Sequence, residues 1–185
     1  EAMLPYMTEH FGNPSSTHSF GRKTRAAIEA ARKTVAKALN VSPSEIFFTS
    51  GGTEADNMAI RSSINDLGIK HAITSKIEHH AVIHTLEALA AQGKIKLSFV
   101  NLTPTGHIDL KHLDQLLKEN ERTFVSLMHA NNEIGNLLPL KEVGEICEKY
   151  NAIFHSDTVQ TMGHYAMDLQ KIKVDFIAAS AHKFH

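Results

Sequence analysis

The chain has 185 residues and carries 19 Lys+Arg against 20 Asp+Glu, a formal charge of −1 that lacks the basic surplus needed to capture nucleic acid or an anionic membrane. Hydrophobic residues make up 42% and charged residues 21%, ordinary globular usage, so the chain should bury a core. The single cysteine, Cys147, excludes a disulfide framework or a Cys-rich zinc site, and no run approaches the ~18 apolar residues of a membrane span. A cytoplasmic protein of one domain over residues 1–185 is the expectation.

In chain order, Ile28, Ala31, Val35 and Leu39 stripe a helix predicted from Gly21 to Asn40, ahead of the loop signal Ser42-Pro43-Ser44. Short β-type runs follow at Ile46 to Thr49, His71 to Ser75, Ile95 to Val100, Phe124 to His129, Ala152 to His155 and Val174 to Ala179. Helical spacing separates them: Val82, Leu86 and Leu89 form one stripe, and Leu140, Val143, Ile146, Cys147 and Tyr150 another. Strands alternating with helices predict an α/β fold with a mostly parallel sheet between helical layers, a three-layer α/β/α sandwich. The composition's unusual feature is 13 histidines, more than one structural need explains.

In an open α/β sheet, ligands bind beyond the carboxyl ends of the strands, so the residues after each run carry the functional question. After the first run, Ser50-Gly51-Gly52-Thr53-Glu54-Ala55-Asp56-Asn57 leads into a helix. Two glycines, helix N–H groups and two hydroxyls make a phosphate cradle. A plain helix start capped by Thr53, with Asp56 in a near capping box, is equally compatible. After the second run comes Lys76-Ile77-Glu78-His79-His80. His79 can stack on a planar ligand and move protons near neutral pH, or simply be a solvated helix start. His80 and His84 share a helical face, yet no third ligand has zinc spacing, so no metal is expected.

After the fourth run, Asn131 and Asn132 are consecutive amides that could also just build a turn. Asp157 leaves the fifth run, where burial is costly unless a cation or donor meets it. Lys183 follows the last, where nearby cations or a dry pocket would make its amine a nucleophile, or where it simply reaches water from a strand end. Each signal alone is weak. Together, phosphate donors, a stackable base, amides, a carboxylate and an amine describe a site for pyridoxal phosphate.

These residues lie in ordered motifs: Asn13-Pro14-Ser15-Ser16-Thr17-His18-Ser19-Phe20-Gly21, Thr49 to Asn57, Glu78-His79, Met128 to Gly135, His155 to Gln160 and Ser180-Ala181-His182-Lys183. In that order they resemble the cysteine desulfurases, in the class V aminotransferase group of fold-type I pyridoxal phosphate enzymes. The resemblance covers nearly the whole chain and implies the large, cofactor-binding domain of that fold. It implies that Lys183 bonds the cofactor as a Schiff base, His79 stacks on the ring and assists proton transfer, Asp157 pairs with the ring nitrogen and Gln160 bonds the phenolic oxygen. Thr53, Ser180 and His182 would hold the phosphate with backbone donors near Gly52, and Asn132 would lie near the phenolic oxygen and the substrate carboxylate.

The implied reaction converts L-cysteine to L-alanine and leaves a persulfide on an enzyme cysteine, feeding iron–sulfur assembly or another sulfur-acceptor protein. The implied complete protein is a homodimer with a small C-terminal domain. The family's acceptor cysteine lies well after the Schiff-base lysine, and Cys147, on a helical apolar stripe, reads as a buried inert thiol. We therefore read the chain as an excerpt, expected to be inactive alone. Alternatives are a selenocysteine lyase or other class V enzyme, a non-catalytic fragment serving as an interaction surface, and a histidine-rich metal protein.

Overall fold

The structure, a computed structural model, describes residues 2–184 and divides after Phe48 into two units. In the first, α1 (Leu4–Thr8) precedes α2 (Ser19–Leu39). His18 starts α2: its Nδ1 accepts the Gly21 N–H at 3.2 Å, satisfying a helix-start donor that has no carbonyl partner. Asn40 ends the helix in the left-handed region at φ 57°. Of the predicted stripe only Leu39 is buried, joined by Ala36, because within this unit α2 packs mainly on the short 3-10 turn Pro43–Glu45. A capping box closes that turn: the Ser42 hydroxyl accepts from Ser44 N and the Glu45 carboxylate from Ser42 N at 2.7 Å.

The run Ile46 to Thr49, expected as a strand, is not one. Ile46 has an extended backbone, but the run joins no strand among the described residues, and Phe47 and Phe48 are 71% and 53% exposed. An apolar β-type run fixes extended φ/ψ; a strand also needs a neighbouring ladder of N–H and C=O groups.

The second unit opens with α3 (Gly52–Asn65) and continues through β1 (His71–Thr74), α4 (His80–Ala91), β2 (Lys96–Phe99), α5 (Leu110–Lys118), β3 (Thr123–Ser126), α6 (Leu140–Lys149), β4 (Ile153–Asp157) and β5 (Phe176–Ala178), ending in a 3-10 turn, Ala181–Lys183. The five strands form one parallel sheet in the order β2-β1-β3-β4-β5. β1 pairs His71 with Lys96 of β2 on one side and with Thr123 of β3 on the other. Parallel strands need crossovers, and α4, α5 and α6 supply the first three.

Successive side chains on a strand alternate between faces, which explains the layers. Ala72 and Phe124 point to a core with Ile60 and Ile64 of α3 and Val82, Leu86 and Leu89 of α4. Ile73, Val125 and Phe154 point to the opposite core with Leu113 and Leu117 of α5 and Leu140, Val143 and Cys147 of α6. The result is the expected α/β/α sandwich. Both faces are covered, so β1 and β3 are buried at every position rather than at alternate ones, and each fully buried Leu or Ile contributes roughly 1.5–3 kcal/mol. The direction in which strands are added across the sheet reverses after β2: the chain lays β2 on one side of β1 and β3 on the other, with crossovers on opposite faces. The carboxyl ends of β1 and β3 therefore flank a topological switch point, the usual place for a ligand crevice in such sheets.

Candidate active site

Because all five strands run one way, their carboxyl ends share one edge, and the site residues predicted from sequence lie along it. Gly52 and Thr53 start α3, His79 follows β1, Asn132 follows β3, Asp157 ends β4 with Gln160 in the next turn, and Ser180, His182 and Lys183 follow β5. Thr53, His79, Asn132, His182 and Lys183 are exposed, Gly52 and Gln160 half-buried, and Asp157 and Ser180 buried.

The α3 start is capped differently from either sequence reading. Gly51 is the cap residue, Thr53 makes no capping bond, and Glu54 reaches back to accept from Ser50 N. Gly52 closes a cradle: a Cβ there would lie 3.1 Å from Val159 Cγ2 and 3.6 Å from the Ser180 side chain. Ser180 Oγ in turn bonds His182 Nδ1 at 2.9 Å. One glycine thus lets a helix N-terminus approach the loops after β4 and β5, and free N–H groups there suit a phosphate.

His79 is the N-cap of α4 and its Nδ1 accepts the Ala81 N–H at 3.1 Å. That bond leaves the ring proton on Nε2 in the neutral imidazole. After β3, Asn131 is the turn builder: its Oδ1 accepts from Glu133 N and Ile134 N, and its Nδ2 donates to Ile77 O at 2.7 Å. Asn132 is left exposed beside it. Asp157 Oδ1 accepts from Val159 N at 2.8 Å. Burial foremost, then the Asp56 charge, pushes the Asp157 carboxyl up to about 6, against the pull of that bond and of His155 and His79.

Three buried groups that the motif reading gave no site role stand behind this edge. Glu78 Oε1 accepts from Ser75 Oγ at 2.8 Å and Met128 N at 3.0 Å, and burial raises its carboxyl to about 8. Asp56 lies fully inside, its Oδ1 3.4 Å from His155 Nε2. The detectable signal was helical phase: Asp56 falls on the same face as Ile60 and Ile64, a charge in an apolar stripe. His80 and His84 stack at 4.6 Å, and no set of three metal-competent side chains occurs among the described residues.

The donor set fits pyridoxal phosphate on the structure's own terms: a glycine helix start for the phosphate, and a buried carboxyl, steadied by Val159 N–H, for the ring nitrogen. Comparison with known proteins bears on the same point. The family model for aminotransferase class-V matches residues 1–185. The chain belongs to the class-V aminotransferase family. Class-V aminotransferases and cysteine desulfurases depend on pyridoxal phosphate. Among class-V relatives, cysteine desulfurase IscS of Clostridium botulinum is 46% identical over all of this chain and 47% of its own length. A solved NifS-like protein superposes with a TM-score of 0.93 at 40% identity, covering 99% of this chain and 51% of its own. SspA, solved in complex with cysteine, gives a TM-score of 0.92 at 30% identity, covering 98% and 52%. The chain spans about half the length of these relatives.

Proposed function

We propose that the chain is the cofactor-binding large domain of a pyridoxal-phosphate cysteine desulfurase. The complete protein would convert L-cysteine to L-alanine and pass the sulfur to one of its own cysteines, for iron–sulfur assembly or another acceptor protein. We further propose that it works in the cytoplasm as a homodimer. The observation carrying this reading is the parallel-sheet edge on which a glycine-cleared helix start, a buried Asp157 and Lys183 occur together. The names of its relatives favour cysteine as substrate. Among the described residues no helix is long and apolar enough to cross a membrane.

Bound at this edge, the cofactor supplies an electron sink for the substrate's α-carbon. The chain's own residues do the rest. Gly52 and Thr53 N–H groups, with Ser180 and His182, would hold the phosphate. Asp157, held in place by Val159 N–H, would keep the ring nitrogen protonated. His79 would lie over the ring and move a proton at Nε2, since Nδ1 is occupied by Ala81 N–H. Gln160 would bond the phenolic oxygen, Asn132 would orient that oxygen and the substrate carboxylate, and Lys183 would hold the cofactor covalently.

The test is a titration of the protein with pyridoxal phosphate, followed by the absorbance of the lysine-bound cofactor. Lys183→Ala is expected to abolish that band. A band that survives the substitution would overturn the assignment of Lys183, and no band in the parent would overturn the cofactor site.

A further inference from the structure

Asp56 on α3 and His155 on β4 are among the most buried polar side chains of the molecule, 1% and 0% exposed. Asp56 Oδ1 and His155 Nε2 lie 3.4 Å apart, and neither atom has a hydrogen-bond partner among the described residues. The other ring nitrogen, Nδ1, meets Ser126 Oγ at 2.9 Å, and Phe124 stacks along the imidazole with centroids 6.0 Å apart. Strand alternation puts His155 on the same face of β4 as Asp157, two residues on.

A lone carboxylate buried this deeply costs far more than a neutral pair, so a net charge of zero on Asp56 and His155 together is the favoured state. One proton satisfies that condition. Placed on the imidazole, it puts a charge on the ring 3.4 Å from Asp56 Oδ1 and leaves Nδ1 a proton for Ser126 Oγ at 2.9 Å. The Ser126 hydroxyl then accepts from one ring N–H, and the Asp56 carboxylate faces the other as a charge partner. The groups acting on Asp157 are Asp56 from α3, Glu78 and His79 from the segment leading into α4, and His155 from its own strand. Glu78, held protonated by burial, adds no charge near neutral pH.

We propose that His155 is a buried imidazolium clamped between Asp56 and Ser126, a positioning residue whose charge cancels that of Asp56 and leaves Asp157 the one unpaired carboxylate available to the cofactor's ring cation. The role rests on the proposed cofactor site, although the charge state of His155 does not depend on the cofactor being bound. Neutralising Asp56 alone frees the imidazolium to pair with Asp157 in place of the ring cation. Replacing His155 alone strands Asp56 as a competing acid. Replacing both with amides restores a neutral, hydrogen-bonding pair.

Two measurements on the full chain test this. Nitrogen-15 shifts of the His155 ring, read without cofactor at pH 7, are expected to show both nitrogens protonated; a ring with one protonated nitrogen overturns the proposal. In addition, D56N and H155Q are each expected to weaken pyridoxal phosphate binding about tenfold or more, while the double variant recovers most of the loss. A double variant as weak as the singles assigns the pair to packing alone and overturns the proposal. If a single variant does not fold, the His155 ring shifts of the unmodified chain still decide. Absence of cofactor binding in the unmodified chain would refute the proposed function instead, leaving the His155 charge to be judged on its own.

Discussion

Glu78 holds a carboxyl group where water hardly reaches, with Asp157 and Asp56 close enough to add to the cost of ionising it. Its folded-state acidity, moved up to about 8, means the native state prefers the protonated acid. The stabilising contribution is full below the unfolded value near 4.5 and is lost as pH rises through 8. Glu78→Gln imitates the protonated form. Compared with the parent by urea unfolding, it is expected to gain about 2 to 4 kcal/mol between pH 5 and pH 9; an unchanged gap would show Glu78 ionised in the fold. Cys147 is the opposite case, a thiol pushed up to about 12 by burial foremost and by the Asp175 charge. Its labelling by a disulfide reagent is expected only at the rate of unfolding, and fast labelling of the native protein would contradict its burial. The histidines, unexplained as a set, separate into local tasks once contacts are known. His18 and His79 cap helices, His71 bridges Thr123 of β3 and Ser98 of β2, and His112 accepts from Asn101 N. None of these partners is near enough in the sequence pattern to announce the role, except the two caps.

At the scale of elements, amphipathic stripes were readable where an element has a sheet to cover. Val82, Leu86 and Leu89 of α4, and Leu140, Val143 and Cys147 of α6, are buried as their spacing predicts. The α2 stripe was less readable, because the spacing specifies a face but not what packs on it. Gly144 adds a constraint that spacing does not reveal. It lies inside α6, and a Cβ there would run into the Lys173 carbonyl in the segment leading to β5. Gly144→Ala would improve helix propensity in isolation. In this fold it is expected to destabilise by about 1–3 kcal/mol, read from the urea midpoint, because backbone must move. A neutral or stabilising result would place the 169–175 segment farther from α6.

At the scale of the whole molecule, the alternation of β-type runs and helical stripes determined the fold class. Glycines, a strand-end acid and a strand-end lysine determined which chemistry to look for, since these are properties of short stretches of chain. The run at Ile46 to Thr49 marks the limit of that reading: local preference yields extended backbone, and membership of a sheet depends on a partner. Strand order is likewise non-local. The sequence could not say that β1 lies between β2 and β3, nor that this order places a switch point beside Glu78 and His79. Only the tertiary structure brings Asp56 against His155, 99 positions along the chain, and Gly52 against Ser180, because those contacts arise from packing α3 over the sheet. Burial then changes what the residues are chemically. An aspartate and a histidine that read as a helix-start acid and a strand residue become a buried pair 3.4 Å apart, because packing the helix over the sheet removes both from solvent.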